Sequence, residues 1–465
     1  MLENLIRSLA EKTILILGFG KEGIDTYLAL RELFPDKVFS IADKKTLGEF
    51  DIRTQKILLK DKNLEVFLGK DYLAKIGEYE LIIKTPGISL EKLGFGFAVE
   101  ARFLRSPKTE LQQLGFEKLT SQTEIFFDNF QGIVVGVTGT KGKGTTASLI
   151  YEILKTGGFK VFLGGNIGKP VLQYLLKSKP DDIFVYELSS HQLQNLKKSP
   201  QIAVFLNLFQ DHLDYYKNFK EYQKAKANIA KHQTEDDYLI FNSQDEEVKQ
   251  VAIKSKAVKI PFSLKTPLTL FERSLKKCYQ LKGDFNFLNL RAALKVAEIF
   301  KVKPEAIKRA VKSFKGLPHR LEFVGKFKGV EFYDNSMATV PQTTILDLQT
   351  FNGKPISLIV GGSDKGSNYK DLAKEISKTS VENLIVLGQG TGQEIIGALK
   401  RTRFLRGTKE PSSFEASSMQ EAVKICYEET PKNGVCLLSP ASASFNLFKD
   451  YKDRGEQFKK YVKKT

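Results

Sequence analysis

The segment GVTGTKGKGTT, at residues 136–146, constrains this chain more than any other. It follows an apolar, β-branched run (Ile133, Val134, Val135). It precedes helically spaced apolar residues (Ala147, Ile150, Ile153, Leu154) that stop at Gly157 and Gly158. A glycine-rich turn between a strand and a helix N-terminus is a phosphate cradle. Its backbone N–H groups can approach the oxygens, the helix dipole favours negative charge there, and Lys143 can reach the terminal phosphates. The segment therefore reads as a nucleoside-triphosphate site, with two departures from the common pattern. Val137 stands at the position of the first glycine, and Gly144 follows Lys143, so a metal-facing hydroxyl has to come from Thr145 or Thr146.

At 465 residues the chain exceeds one ordinary core, and two to four domains are expected. Hydrophobic residues at 42% and charged residues at 27% fit a soluble globular protein. No stretch approaches the ~18 to 20 uninterrupted apolar residues of a membrane span. Glu3, Arg7, Glu11 and Lys12 stand where a signal peptide carries apolar residues, so a cytoplasmic protein without membrane insertion is expected. Cys278, Cys426 and Cys436 have no CxxC spacing and are expected to be inert core thiols. The net charge of +18 comes from scattered lysines without aromatic interleaving, which argues for a solvated surface that steers small anions and against nucleic-acid binding.

The first ~120 residues alternate as an α/β unit. An apolar strand at residues 14–17 runs into Gly18-Phe19-Gly20-Lys21-Glu22-Gly23 and a helix, and a second strand at 38–42 ends at Asp43. That is the dinucleotide fingerprint with its ribose-binding acid, although the same turn also serves NAD or a UDP-sugar. A strand at 81–83 runs into Thr85-Pro86-Gly87, a loop at the ligand-binding edge of an open sheet. A second unit starts near Leu119, with strands at 183–188, 202–208 and 238–241 beside the phosphate loop. Leu317-Pro318 marks a linker, and a third α/β unit has strands at 330–333, 356–360, 384–387 and 435–438.

Glu187 ends one strand of the second unit, where a magnesium ion bridging phosphates would be held. Asp211-His212-Leu213-Asp214 follows at the end of the next strand, a cluster able to hold a second metal or orient an acyl phosphate. Lys226, in YQKAKANIAKH, reads by composition as an ordinary helix-surface lysine.

Together these motifs resemble the Mur ligases, the ATP-dependent amide-forming enzymes of peptidoglycan synthesis. The resemblance spans nearly the whole chain: GFGKEG and TPGIS first; TGTKGKGTT, GGNIG, ELSSHQL, DHLD and AKANI next; then GLPHR, DNSMAT, GGSDKG and SPASASFNLFKDYKDRGEQF. It implies three Rossmann-like α/β domains, at 1–118 for the UDP substrate, 119–318 for ATP and 319–465 for the incoming amino acid. Gly139, Thr140, Lys141, Gly142, Lys143, Gly144, Thr145 and Thr146 would bind ATP, with Asn286 and Arg320 as further nucleotide contacts. Thr145, Glu187, His212 and a carbamylated Lys226 would hold two magnesium ions. The catalytic set would be Lys143, His212 and Lys226. Gly18, Phe19, Gly20, Lys21, Asp43, Thr85 and Asn166 would serve the UDP substrate, and Thr339, Lys365, Ser444 and Tyr451 the glutamate.

The implied reaction adds D-glutamate to UDP-N-acetylmuramoyl-L-alanine through an acyl phosphate, giving ADP and phosphate, with the protein acting as a monomer. The alternatives are the same reaction with L-glutamate and, further off, folate polyglutamylation. The chain departs from the family at Gly144 (usually serine), Met337 (usually lysine), Asn335 (usually aspartate) and His191 (usually phenylalanine). A nicotinamide oxidoreductase built on GFGKEG leaves the triphosphate loop without a purpose. A non-catalytic ATP-binding regulator has no need of Glu187, His212 and Lys226 together.

Overall fold

The computed structural model describes residues 2–89, 118–167, 171–175, 177–212, 215–363, 367–388, 390–402, 410–445 and 447–464. Among these residues three sheets form. The first holds β1 (Ile14–Leu17), β2 (Phe39–Asp43), β3 (Leu64–Leu68), β4 (Leu81–Lys84) and β5 (Leu119–Thr120), in the order β3-β2-β1-β4-β5. The second holds β6 (Ile133–Thr138), β7 (Val161–Gly165), β8 (Ile183–Glu187), β9 (Ile202–Phe205), β10 (Tyr238–Asn242) and β11 (Val258–Phe262), in the order β11-β10-β9-β6-β8-β7. Both are parallel throughout.

The third sheet holds β12 (Glu322–Phe327), β13 (Val330–Asp334), β14 (Ile356–Val360), β15 (Val381–Leu387), β16 (Ser412–Ala416) and β17 (Val435–Leu438), in the order β12-β13-β17-β14-β15-β16. Its edge strand β12 is antiparallel to β13; the other pairs are parallel. Lys328 and Gly329, with φ of 48° and 86°, make the tight turn between β12 and β13, and two successive positive φ values suit the twist of a hairpin.

The inner strands are continuous apolar runs because helices cover both faces of a parallel sheet. Strands β1, β8, β9, β14 and β17 are buried at every position. The chain folds as two compact units: Met1–Thr266 with Arg291–Ile307, and Pro267–Leu290 with Lys308–Thr465. The first unit holds the first two sheets, which share one continuous apolar core; the second unit holds the third.

In each of the first two sheets the strand order reverses beside the strand that carries the glycine-rich loop. That switch lies between β1 and β4 in the first sheet and between β6 and β9 in the second. Loops leaving the carboxyl ends of such a pair diverge, and the crevice between them is where open α/β sheets bind ligands.

Candidate active site

The phosphate loop is built as its sequence requires. β6 ends at Thr138, and the helix Lys143–Thr156 starts after Gly142, whose φ of 86° in the left-handed region turns the chain into the helix. No side chain caps that N-terminus, so its N–H groups stay available to an anion. Lys143 Nζ donates to the carbonyls of Gly139 (3.0 Å) and Thr140 (3.1 Å), which folds it across the loop. Thr145 and Thr146 are both buried, and Thr146 Oγ1 has no hydrogen-bond partner among the described residues. A buried orphan hydroxyl at this position suits a phosphate oxygen or a metal ion.

Asn207, just past β9, braces the loop. Its Oδ1 accepts from Lys141 N (2.9 Å), its Nδ2 donates to Lys141 O (3.0 Å), and its carbonyl accepts from Thr140 N (3.0 Å). Tyr222 OH donates to Thr140 Oγ1 at 3.1 Å. Neither residue stands out in the sequence, because these contacts span 66 and 82 positions.

Glu187 is 2% exposed at the end of β8, paired in register with Val137 of β6. Its Oε1 accepts from Asn166 Nδ2 at 2.9 Å, and Asn166 N donates to its carbonyl. Asn166, expected to touch the UDP substrate, thus also orients the carboxylate expected to hold metal. Asp211 pairs with Lys141 at 3.7 Å, and that cation together with His212 and Lys143 holds its carboxyl below the usual range despite burial. His212 is exposed, at φ 55°, with its imidazole 3.9 Å from Asp211.

Lys226 overturns its composition-based reading. The helix Phe219–Lys231 places it 1% exposed beneath the loop, where Nζ donates to Gly139 O (2.9 Å) and lies 3.4 Å from Thr138 Oγ1. Burial first, and the nearby Lys143 and Lys141 cations second, drive this amine well below the usual lysine range, with Asp211 and Glu187 opposing.

In the first sheet, Gly18 sits at φ 92°, and a Cβ there would come within 2.2 Å of Thr85 Oγ1. The two ligand loops therefore meet only because position 18 has no side chain. Asp43 accepts from Phe19 N (2.6 Å) and Lys45 N (2.9 Å), and Thr85 Oγ1 donates to Leu17 O. Phe19 turns its ring into the core, 1% exposed against Tyr27 and Phe50, so only its backbone faces the loop. Gly20 and Lys21, at the start of the helix Lys21–Leu33, are exposed.

Behind them Lys84 Nζ binds the carbonyls of Thr85 (3.0 Å) and Ile88 (2.9 Å). Desolvation lowers this amine to about 8. Burial also pushes the Glu22 carboxyl up to about 7, against Gln192 and Lys84.

In the second unit, Asn286 Nδ2 donates to Lys282 O at 2.8 Å, and Arg320 is half-buried. Thr339 N donates to Met337 O, Ser444 is 2% exposed, and Tyr451 opens the helix Tyr451–Lys464. Lys365 lies outside the described residues, as do Gly168, Leu213 and Asp214.

The organiser of this unit is one the sequence did not single out. Arg454 is fully buried, donating to Ser336 Oγ (3.0 Å), Ser336 O (2.8 Å) and Ser442 O (3.1 Å), which ties DNSMAT to SPASAS. Desolvation lowers it to about 10. His319, Glu322 and Asp334 bring potential ligand atoms together, but Lys459 already pairs with Glu322 at 3.2 Å.

A phosphate loop, a strand-end carboxylate and a buried lysine thus gather at the carboxyl ends of β6, β8 and β9. Residues 137–297 match the Mur ligase middle domain. A UDP-N-acetylmuramoylalanine--D-glutamate ligase of Caldanaerobacter subterraneus subsp. tengcongensis is 33% identical over 98% of both chains. One of Clostridium tetani is 34% identical over 90% of both. The MurF ligase of Thermotoga maritima, solved in complex with ADP, shares the fold at TM-score 0.57 and 17% identity, over 97% of this chain and 95% of that one. The chain belongs to the Mur ligases and, within them, to the family of UDP-N-acetylmuramoylalanine--D-glutamate ligases.

Proposed function

We propose that this protein uses ATP to join D-glutamate to the alanyl carboxylate of UDP-N-acetylmuramoyl-L-alanine, releasing ADP and phosphate, as a monomer in the cytoplasm. A carboxylate does not react with an amine, so it is first phosphorylated to an acyl phosphate. The glutamate amine then attacks the acyl carbon, and the tetrahedral intermediate expels phosphate. Little covalent chemistry falls to the protein in the first step; positioning and charge neutralisation carry it.

In this reading the loop from Gly139 to Thr146 cradles the phosphates, and Lys143 leaves its resting carbonyl partners to meet the transferring group. Thr145, Glu187, His212 and Lys226 would hold two magnesium ions, which neutralise phosphate charge. The orphan Thr146 hydroxyl and the buried Glu187 carboxylate fit such ions.

Lys226 carries the reading. Nζ of Lys226 is buried beneath the loop, and burial with the Lys143 and Lys141 cations lowers its proton affinity; addition of carbon dioxide, with loss of a proton to solvent, would give a carbamate, an anion among those cations. The GFGKEG and TPGIS loops would take the uridine diphosphate, and Asn286 and Arg320 the nucleotide of ATP. Thr339, Lys365, Ser444 and Tyr451 would contact glutamate. L-Glutamate stays as the second reading because Met337 removes a cation expected near the amino acid's carboxylates.

Oxygen transfer tests the acyl phosphate. With ¹⁸O in the alanyl carboxylate, one labelled oxygen is expected in each phosphate released. Phosphate free of label would contradict the intermediate.

A further inference from the structure

His191 lies four residues beyond Glu187, on the short helix Ser190–Leu193, and its ring faces that of His212. The centroids are 4.9 Å apart with the planes at 83°. Two imidazoles on one ion, with metal–nitrogen bonds of about 2.1 Å, place their centroids roughly 4.6 to 5.4 Å apart. The observed separation falls inside that interval.

The His191 ring and the His212 backbone are held in place. His191 packs edge-on against Tyr215 at 4.2 Å, and Tyr215 OH is fixed by Ile88 O (3.2 Å) and Gln194 Oε1 (3.1 Å). His212 occupies the left-handed region at φ 55°, a conformation uncommon outside glycine that persists only where the surroundings impose it.

We propose that His191 is a second imidazole ligand, with His212, of one divalent ion in the phosphate-loop crevice, and that this pair tunes the site toward transition ions of the Mn²⁺ class. The proposal rests on the metal role given to His212 above. The chemistry follows from ligand type. Magnesium prefers oxygen ligands, whereas each added imidazole favours manganese, cobalt and their neighbours. Edge-to-face ring packing alone would give the same centroid distance without any preference among metals, and a nitrogen count separates the two.

The experiment is pulsed electron paramagnetic resonance on the full chain with Mn²⁺ and a non-hydrolysable ATP analogue, comparing ¹⁴N- and ¹⁵N-histidine protein. Two coupled histidine nitrogens are expected in the native protein, falling to one in His191→Phe and one in His212→Phe. By direct titration, His191→Phe is expected to weaken Mn²⁺ binding about tenfold while Mg²⁺ binding stays within about twofold. His191→Gln, which keeps size and polarity, should lose the same nitrogen and guards against a packing defect. A single nitrogen that persists in His191→Phe would overturn this inference and leave the role of His212 standing. No histidine nitrogen in the native protein would overturn both.

Discussion

Lys226 shows how one position changes meaning between sequence and fold. In a chain with 72 lysines and arginines, a lysine within KAKANIAK looks like solvated helix surface. Its burial arises from the packing of that helix under β6, a contact 87 positions away in sequence. Lys226→Ala is expected to abolish ligation and to regain part of it with acetate, which restores a carboxylate. Normal turnover by Lys226→Arg would show that no carbamate forms.

Asn335 explains itself through a neighbour. Its Nδ2 donates to Asp347 Oδ2 at 2.7 Å, and Ser439 Oγ donates to the same oxygen at 2.6 Å. Burial pushes the Asp347 carboxyl up to about 7 despite these donors. The folded state therefore keeps a proton that the unfolded chain loses near pH 4. This contribution to stability is full below pH 4, declines as pH rises toward 7, and is flat above. Asp347→Asn should remove that slope in denaturant titrations across pH.

The family's aspartate at position 335 would set two carboxyls against each other in a dry site. Asn335→Asp should destabilise the protein by roughly 2 to 4 kcal/mol at pH 8, and less at pH 5. Asn335→Asp combined with Asp347→Asn should recover most of that loss. Equal stability of Asn335→Asp and the native protein at pH 8 would contradict this account.

At the scale of elements, legibility follows position in the sheet. The expected strands correspond to β1, β2, β4, β6, β8, β9, β10, β13, β14, β15 and β17, all inner strands. Those not anticipated are β3, β5, β7, β11, β12 and β16, and each is an edge. Inner strands are apolar on both faces and stand out as continuous runs, whereas β11, β12 and β16 are mostly exposed or half-buried and blend with loops.

The phosphate loop was legible because strand, glycines, lysine and helix are contiguous. Its brace was not, because Asn207 reaches it only through the pairing of β6 with β9. Lys143→Ala should cost at least ~10²-fold in turnover with the fold intact, since a charge partner of the transferring phosphoryl group is gone. Asn207→Ala should chiefly raise the KM for ATP, because the loop loses two side-chain hydrogen bonds but no phosphate contact. Near-normal turnover in Lys143→Ala would remove the triphosphate assignment. An unchanged KM in Asn207→Ala would remove only the brace.

For the whole molecule, length predicted several domains and the alternation of strands and helices predicted α/β units, and three sheets are present. The motifs carried the activity further than local pattern could, since the GxGxxG turn alone fits NAD or a UDP-sugar equally. The amino acid is the least legible part, because its preference rests on the charges near DNSMAT and Met337 supplies none. Losing a charge-assisted hydrogen bond typically costs ~1.5 to 3 kcal/mol.

The central claim, ligation of D-glutamate to UDP-N-acetylmuramoyl-L-alanine, is tested most directly by competition. The protein is given ATP, magnesium and the UDP substrate with equimolar D- and L-glutamate carrying different isotopes, and the product is read by mass. The account predicts phosphate release only when ATP, UDP substrate and glutamate are all present, and product carrying predominantly the D-glutamate label. Predominant incorporation of L-glutamate would contradict the stereochemical assignment, and no amide product from either enantiomer would contradict the ligase itself.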